Sequence, residues 1–208
     1  MRELKDTFNQ PAVGGLALFF RSTREEAGAI LARLAERPGG ASARRLFDGL
    51  AAAATRYAAE QHRCLLAVHF RAWACGPVQP DLLADLAFGS PVIMRGYLRA
   101  EGTRYLPVRK ADLAVLGAYR AMFVERFAKE TEDLSDEELH AEVTGAESPW
   151  MKAVVRGHYL DAFRAGILAV TEEEVFFEDT IDDAEGRRAY DESWTDLEEA
   201  GMIFPVDE

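Results

Sequence analysis

Apolar residues recur at helical spacing in several separate segments of the chain. In residues 42–62 they fall at intervals of three and four, which predicts a buried, alanine-rich helix that begins after Ser42. Ser22 followed by Glu25 is typical of a capping box, and residues 37–40 are typical of a helix end. A first helix is therefore predicted between them.

The longest amphipathic segment follows a region of mixed pattern. Residues 92–108 scatter apolar residues among arginines and two glycines, which favours a loop or a hairpin. Residues 110–129 then carry one apolar stripe, which predicts a long helix with that stripe turned to the core. The members of the stripe are Leu113, Leu116, Tyr119, Met122, Phe123 and Phe127.

Shorter helices are indicated where a proline or a capping serine precedes apolar residues. Pro80 opens one that is predicted to end at residues 89–91. Ser135 with Glu138 forms a second capping box, which predicts a short acidic helix that ends near Val143. Pro149, directly after a serine, starts another.

A strand is also expected in the middle of the chain. Residues 65–70 form a short apolar run that predicts a strand leading to Trp73, with a turn at residues 76–78. Residues 11–20 are also apolar, and their pattern fits a strand or a buried helical turn equally well. The predicted class is mainly α, a compact helical domain with a short strand or hairpin near 65–73.

Charge is unevenly distributed along the 208 residues. The formal net charge is −12, yet residues 1–130 carry +6, residues 131–171 carry −5 and residues 172–208 carry −13. An acidic end repels nucleic acid and suits a basic protein partner. Binding of nucleic acid is therefore not expected, although the basic first part leaves a DNA-associated regulatory role open.

The acidic segment also contains large apolar residues, which a purely solvated tail would lack. A helix is predicted at 184–200, stopped by Gly201. The aromatic residues would anchor a partner, and the carboxylates beside them would orient it. Two alternatives stay open: the segment covers the basic part of its own chain, or its aromatic residues belong to the core. The residues proposed for partner contact are Phe176, Phe177, Glu178, Asp179, Tyr190 and Trp194.

Catalytic and metal-binding patterns are missing from the sequence. The four histidines form no HExxH pair, Cys64 and Cys75 form no CxxC pair, and no glycine-rich phosphate loop or GxSxG elbow occurs. We predict no enzyme activity, cofactor, metal or small-molecule substrate, and two buried free thiols. An enzyme whose site converges from distant residues stays possible, with His69, Asp81 and Glu147 as the polar group to look for.

The chain is expected to be cytoplasmic. No run approaches the roughly 20 apolar residues that cross a bilayer. The first residues also lack the basic and then apolar pattern of a signal peptide. We therefore expect no membrane association.

Two segments that each contain a tryptophan resemble motifs of the Panacea domain family. Residues 72–80, AWACGPVQP, look like the family's AWxxGPVxP signature, and residues 144–150, TGAESPW, look like its THxExPW element. The matching residues are Trp73, Gly76, Pro77, Val78, Thr144, Glu147, Pro149 and Trp150. This chain departs from the family at residues 49–53, which lack its lysine and tyrosine, and at Gly145, which replaces its histidine.

The resemblance implies a helical domain over residues 42–170, between an N-terminal extension at 1–41 and the acidic extension at 171–208. Family members act largely as antitoxins of bacterial and phage toxin–antitoxin pairs. The function it implies is therefore neutralisation of a cognate toxin by direct binding. Some members act instead as adaptors that deliver a partner to an energy-dependent AAA+ protease, which is the alternative function.

Overall fold

Eight α-helices make up most of the residues that the computed structural model describes, which are 16–87 and 94–202. Two short 3-10 turns, Leu113–Leu116 and Phe177–Thr180, precede the fourth and eighth helices. The helices are α1 (Leu16–Ala35), α2 (Ala43–Gln61), α3 (Pro80–Ala87), α4 (Ala118–Glu130), α5 (Asp136–Thr144), α6 (Pro149–Arg156), α7 (Leu160–Arg164) and α8 (Ala184–Met202).

Within the described residues, two small antiparallel sheets join distant parts of the chain. One has the strand order β1–β5–β4 and the other the order β3–β2–β6. The fold is therefore mixed α/β with a helical majority, and the prediction of a mainly α chain understated its sheets. The strands are β1 (Ala41–Ser42), β2 (Phe70–Trp73), β3 (Gly76–Val78), β4 (Leu98–Glu101), β5 (Arg104–Pro107) and β6 (Glu174–Val175).

Serine caps fix the starts of three helices as predicted. The hydroxyl of Ser42 accepts the backbone N–H of Arg45 at 3.1 Å, and Ser148 accepts that of Met151 at 3.1 Å. Ser135 and Glu138 form the complete capping box. Each cap satisfies a backbone donor that has no partner within its helix, which is why the signal is readable locally.

Helix α2 lies at the centre of the core. It packs against α1, α5 and the 3-10 turn at Phe177–Thr180. Its alanine run at residues 51–54 is fully buried, and these small side chains let neighbouring elements approach closely. Arg45 is buried as well, and it donates to the carbonyls of Thr131 and Leu134 at 2.6 and 2.7 Å. These bonds offset the cost of burying its charge.

Four of the predicted boundaries were wrong. Helix α1 begins at Leu16, so Ser22 lies within it, and α8 continues through Gly201 to Met202. The strand begins at Phe70, and residues 76–78 form strand β3 because the turn lies at residues 74–75. The predicted helix end at 89–91 and the start of the apolar run at 11–15 lie outside the described residues.

The predicted helix at 110–129 is interrupted. Gly117 has φ +73°, and this conformation separates the 3-10 turn Leu113–Leu116 from α4. The later part of the predicted stripe lies on α4 and is only partly buried. Tyr119 and Met122 are 87% and 71% exposed, whereas the other late members of the stripe, Phe123 and Phe127, are buried. The predicted hairpin is present as β4 and β5.

Candidate functional site

The two tryptophan segments meet at the β2–β3 hairpin. The indole Nε1 of Trp150 on α6 donates to the backbone carbonyl of Trp73 at 2.9 Å. The indole of Trp73 donates to the carbonyl of Thr171 at 3.2 Å. Trp150 is buried and Trp73 is half-buried. This pair of bonds ties α6 and the start of the C-terminal segment to the same strand.

Gly76 lies where three elements meet. Its φ of +114° is one that side-chain-bearing residues rarely adopt, and a Cβ there would lie 3.1 Å from Cε1 of His140. The imidazole Nδ1 of His140 on α5 lies 3.1 Å from Oδ2 of Asp48 on α2. Glycine is therefore required by its backbone and by the approach of the imidazole.

Asp48 is 2% exposed. Its burial raises the pKa of the carboxyl, and the adjacent His140 and Arg44 oppose that rise. Neither Asp48 nor His140 was singled out from the sequence, because the two are 92 positions apart and lie in no recognisable motif. The pair links α2 and α5 beside the hairpin.

Most of the remaining motif residues are buried or hydrogen-bonded within the fold. Pro77 and Val78 are buried on β3, an edge strand, where a proline without an N–H is tolerated. Thr144 donates its hydroxyl to the carbonyl of His140 at 2.7 Å. Pro149 is buried as the first residue of α6, whereas Glu147 is exposed in the preceding loop.

The acidic C-terminal segment packs on the rest of the chain. Strand β6 pairs with β2, with Val175 opposite Phe70, and the amide of Ala72 donates to the carbonyl of Glu173 at 2.8 Å. The rings of Phe70 and Phe177 meet edge to face at 5.3 Å. Phe177 and Tyr190, which were proposed to contact a partner, are each only 3% exposed and belong to the core.

A groove of about 320 Å³ lies between β6, the following 3-10 turn and α8. We call it the acidic groove. It gathers five of the six residues proposed from sequence for partner contact, while Asp179 lies outside it and pairs with Arg156 at 3.2 Å. Asp191 was not singled out from the sequence, and His69 was named there only for a possible enzyme site, not for partner contact. The lining residues are His69, Glu174, Val175, Phe176, Phe177, Glu178, Tyr190, Asp191, Trp194 and Thr195.

Carboxylates give the acidic groove its charge. Glu174 contacts the imidazole of His69 directly, and Arg71 at 3.6 Å offsets its charge. Burial raises the pKa of Glu178, and the nearby carboxylates of Asp179, Asp191 and Glu174 raise it further. Within the described part of the chain, neither Glu178 nor Asp191 forms an ion pair.

Aromatic rings form the walls of the acidic groove. Trp194 packs edge to face on His69 at 5.1 Å and lies 6.4 Å from Tyr190. Phe176 remains 38% exposed although the guanidinium of Arg156 lies 4.6 Å from its ring centroid. The groove therefore combines partly exposed π faces with unneutralised carboxylates.

The two parts of the acidic segment differ in how they are neutralised. Before α8, carboxylates pair with body cations, as Glu173 does with Arg156 at 2.7 Å and Glu174 with Arg71. On α8 the described carboxylates make no ion pair outside the helix, and the pair within it is Arg188 with Glu192 at 3.8 Å. The acidic segment therefore covers part of its own body and leaves α8 negatively charged.

The three polar residues named from sequence as a possible enzyme site do not all line one groove. His69 lies in the acidic groove, Asp81 accepts a hydrogen bond from Gln79 at 3.3 Å in the first turn of α3, and Glu147 is in a loop. The acidic groove contains neither Asp81 nor Glu147.

Cys64 is buried, with its pKa raised by burial to about 12, but Cys75 is exposed, so the prediction of two buried thiols was wrong for Cys75.

Residues 16–87 and 94–202 contain no cluster of three histidine, cysteine or acidic side chains that could hold a metal ion. No helix in those ranges is long and apolar enough to cross a membrane. The protein-family models, the curated proteins and the solved structures with which the chain was compared gave no match.

Proposed function

We propose that this chain is a protein-binding module whose acidic groove receives a basic segment of a partner protein. Glu178 and Asp191 have no basic partners among the described residues. They line the same groove as the partly exposed rings of Phe176 and Trp194, and this observation carries the proposal. Partly buried aromatic residues supply contact energy, and carboxylates steer a basic partner towards them.

The partner that we propose is a cognate toxin, which the chain neutralises by direct binding. Support comes from the resemblance of residues 72–80 and 144–150 to Panacea domain motifs. The same strand links motif and groove, since β2 carries Trp73 of the first motif and also Phe70, which packs on Phe177 beneath the groove. A motif that fixes β2 would thereby hold the groove in shape.

A second candidate function is delivery of the partner to an AAA+ protease. An adaptor holds two proteins at once, and it therefore needs a surface besides the groove. Val115 on the 3-10 turn and Tyr119 and Met122 on α4 are exposed apolar side chains, and such side chains could contribute to contact with another protein. A DNA-associated role has no comparable support, because α8 is acidic.

Co-expression with the product of the neighbouring gene tests the main proposal. We expect the two proteins to copurify and the chain to restore growth of cells that express the partner. The double variant Glu178→Gln/Asp191→Asn should restore growth less well. The matched control is Glu185→Gln, which removes one exposed carboxylate of α8 outside the groove. If the wild-type chain neither copurifies with the partner nor restores growth, the proposal is contradicted.

A further inference from the structure

We infer that the acidic groove recognises an arginine side chain of its partner; this rests on the proposed function, because it specifies what the basic segment inserts. The groove has room for such a group. A cavity of about 150 Å³ already holds one benzene molecule, and the volume of the acidic groove is about 320 Å³. That is enough for one long side chain with some of its hydration.

The part of the chain that the structure describes already uses the same combination of groups three times. Each guanidinium that lies over an aromatic ring in the described residues also bonds a carboxylate. Arg56 lies 5.2 Å from the ring centroid of Phe127 and donates to Glu142 at 2.7 Å. Aromatic face and carboxylate thus form one receptor for a guanidinium.

The other two examples have the same construction. Arg126 lies over Phe123 and contacts Glu60, and Arg156 lies over Phe176 and donates to Glu173 at 2.7 Å. In the acidic groove the ring of Trp194 shares the lining with the carboxylates of Glu178 and Asp191, and no arginine of the described chain lies over it. The components of the receptor are present and the guanidinium is not supplied by this part of the chain.

Arginine fits these components better than lysine does. A guanidinium is planar, so it stacks on Trp194 while its parallel N–H groups meet Glu178 in two-point contact. An ammonium is compact and more strongly hydrated, and it can offer a carboxylate only a point charge. Asp191, exposed on the rim, adds attraction without direct contact.

NMR titration of the full chain with Nα-acetyl-arginine amide tests the inference. The signal to follow is the indole N–H of Trp194, and those of Trp73 and Trp150 serve as internal references because both donate to backbone carbonyls. We expect a saturable shift at Trp194 alone. Nα-acetyl-lysine amide should bind about fivefold more weakly. The uncharged citrulline amide should give no saturable shift.

Two variants complete the experiment. Glu178→Gln should weaken binding of the arginine amide at least about threefold, whereas Glu185→Gln should leave it unchanged. Equal shifts with arginine and citrulline amides, or no saturable shift with arginine, would overturn the inference. Its failure is distinguishable from failure of the proposed function, because the toxin would then still copurify and the groove variants would still reduce rescue.

Discussion

The hydrogen bond between the two tryptophan segments gives the sharpest test of how the motifs act. Trp150→Phe removes the indole N–H that donates to the carbonyl of Trp73 at 2.9 Å. A hydrogen bond of this kind contributes about 0.5–1.5 kcal/mol. The smaller ring also leaves a void in a buried site next to Phe163, whose ring centroid lies 6.4 Å away. Loss of packing there adds roughly 1 kcal/mol.

The total destabilisation expected for Trp150→Phe is therefore about 2 kcal/mol. For a chain of this length it corresponds to a fall in Tm of roughly 4–8 °C, measured by circular dichroism. The matched control is Trp73→Phe. Its indole is half-buried and its bond to the carbonyl of Thr171 is longer, at 3.2 Å, so the expected cost is about 0.5–1 kcal/mol. Equal losses in the two variants would refute the structural role assigned to Trp150.

Two further predictions concern the hairpin and the groove. Gly76→Ala should destabilise by about 1–3 kcal/mol in urea unfolding, since φ is +114° and the new Cβ would crowd His140. Gly102→Ala, where φ is +61° and no neighbour lies within 4 Å, should cost less, and the opposite order would contradict this account. Glu178→Gln should raise Tm at pH 7, because a raised folded-state pKa means that the charged form opposes folding. That gain should disappear below about pH 4, where the carboxyl is protonated in both states, and a loss of stability at pH 7 would contradict the assignment.

Helix starts were predictable from the sequence because their causes are local. Ser42, Ser135 and Ser148 each bond an amide three residues ahead, so the capping residue and its partner lie in one short stretch. The start of α1 was predicted wrongly because the prediction relied on a local pattern alone. Ser22 and Glu25 form a capping pattern, but the apolar residues before them continue the helix back to Leu16.

Strands of two residues were not predictable. β1 and β6 are too short to show an alternating pattern, and they exist because residues far apart in the chain pair with them. The break at Gly117 was also missed. A positive φ at a single glycine separates two apolar runs that look continuous. Tyr119 and Met122 were also assigned to the core from their spacing, although they are exposed on the same helix as the buried Phe123.

The acidic groove was predictable in part. Aromatic residues among carboxylates mark the segment in the sequence, and they drew attention to Phe176, Glu178 and Trp194. The sequence could not show which of the aromatic residues are buried in the core and which line the groove with an exposed face. Phe177 packs on Phe70 where β6 pairs with a strand about 100 residues earlier, and this same pairing brings in His69, while Tyr190 is buried on α8.

Calorimetric titration of the purified partner into wild-type chain and into Glu178→Gln/Asp191→Asn tests the central claim most directly. Because the double variant removes the two carboxylates of the groove without ion-pair partners among the described residues, we expect its Kd to be at least about tenfold higher, with Glu185→Gln close to wild type. A partner that binds the wild-type chain and the double variant with the same Kd would contradict a binding site in the acidic groove.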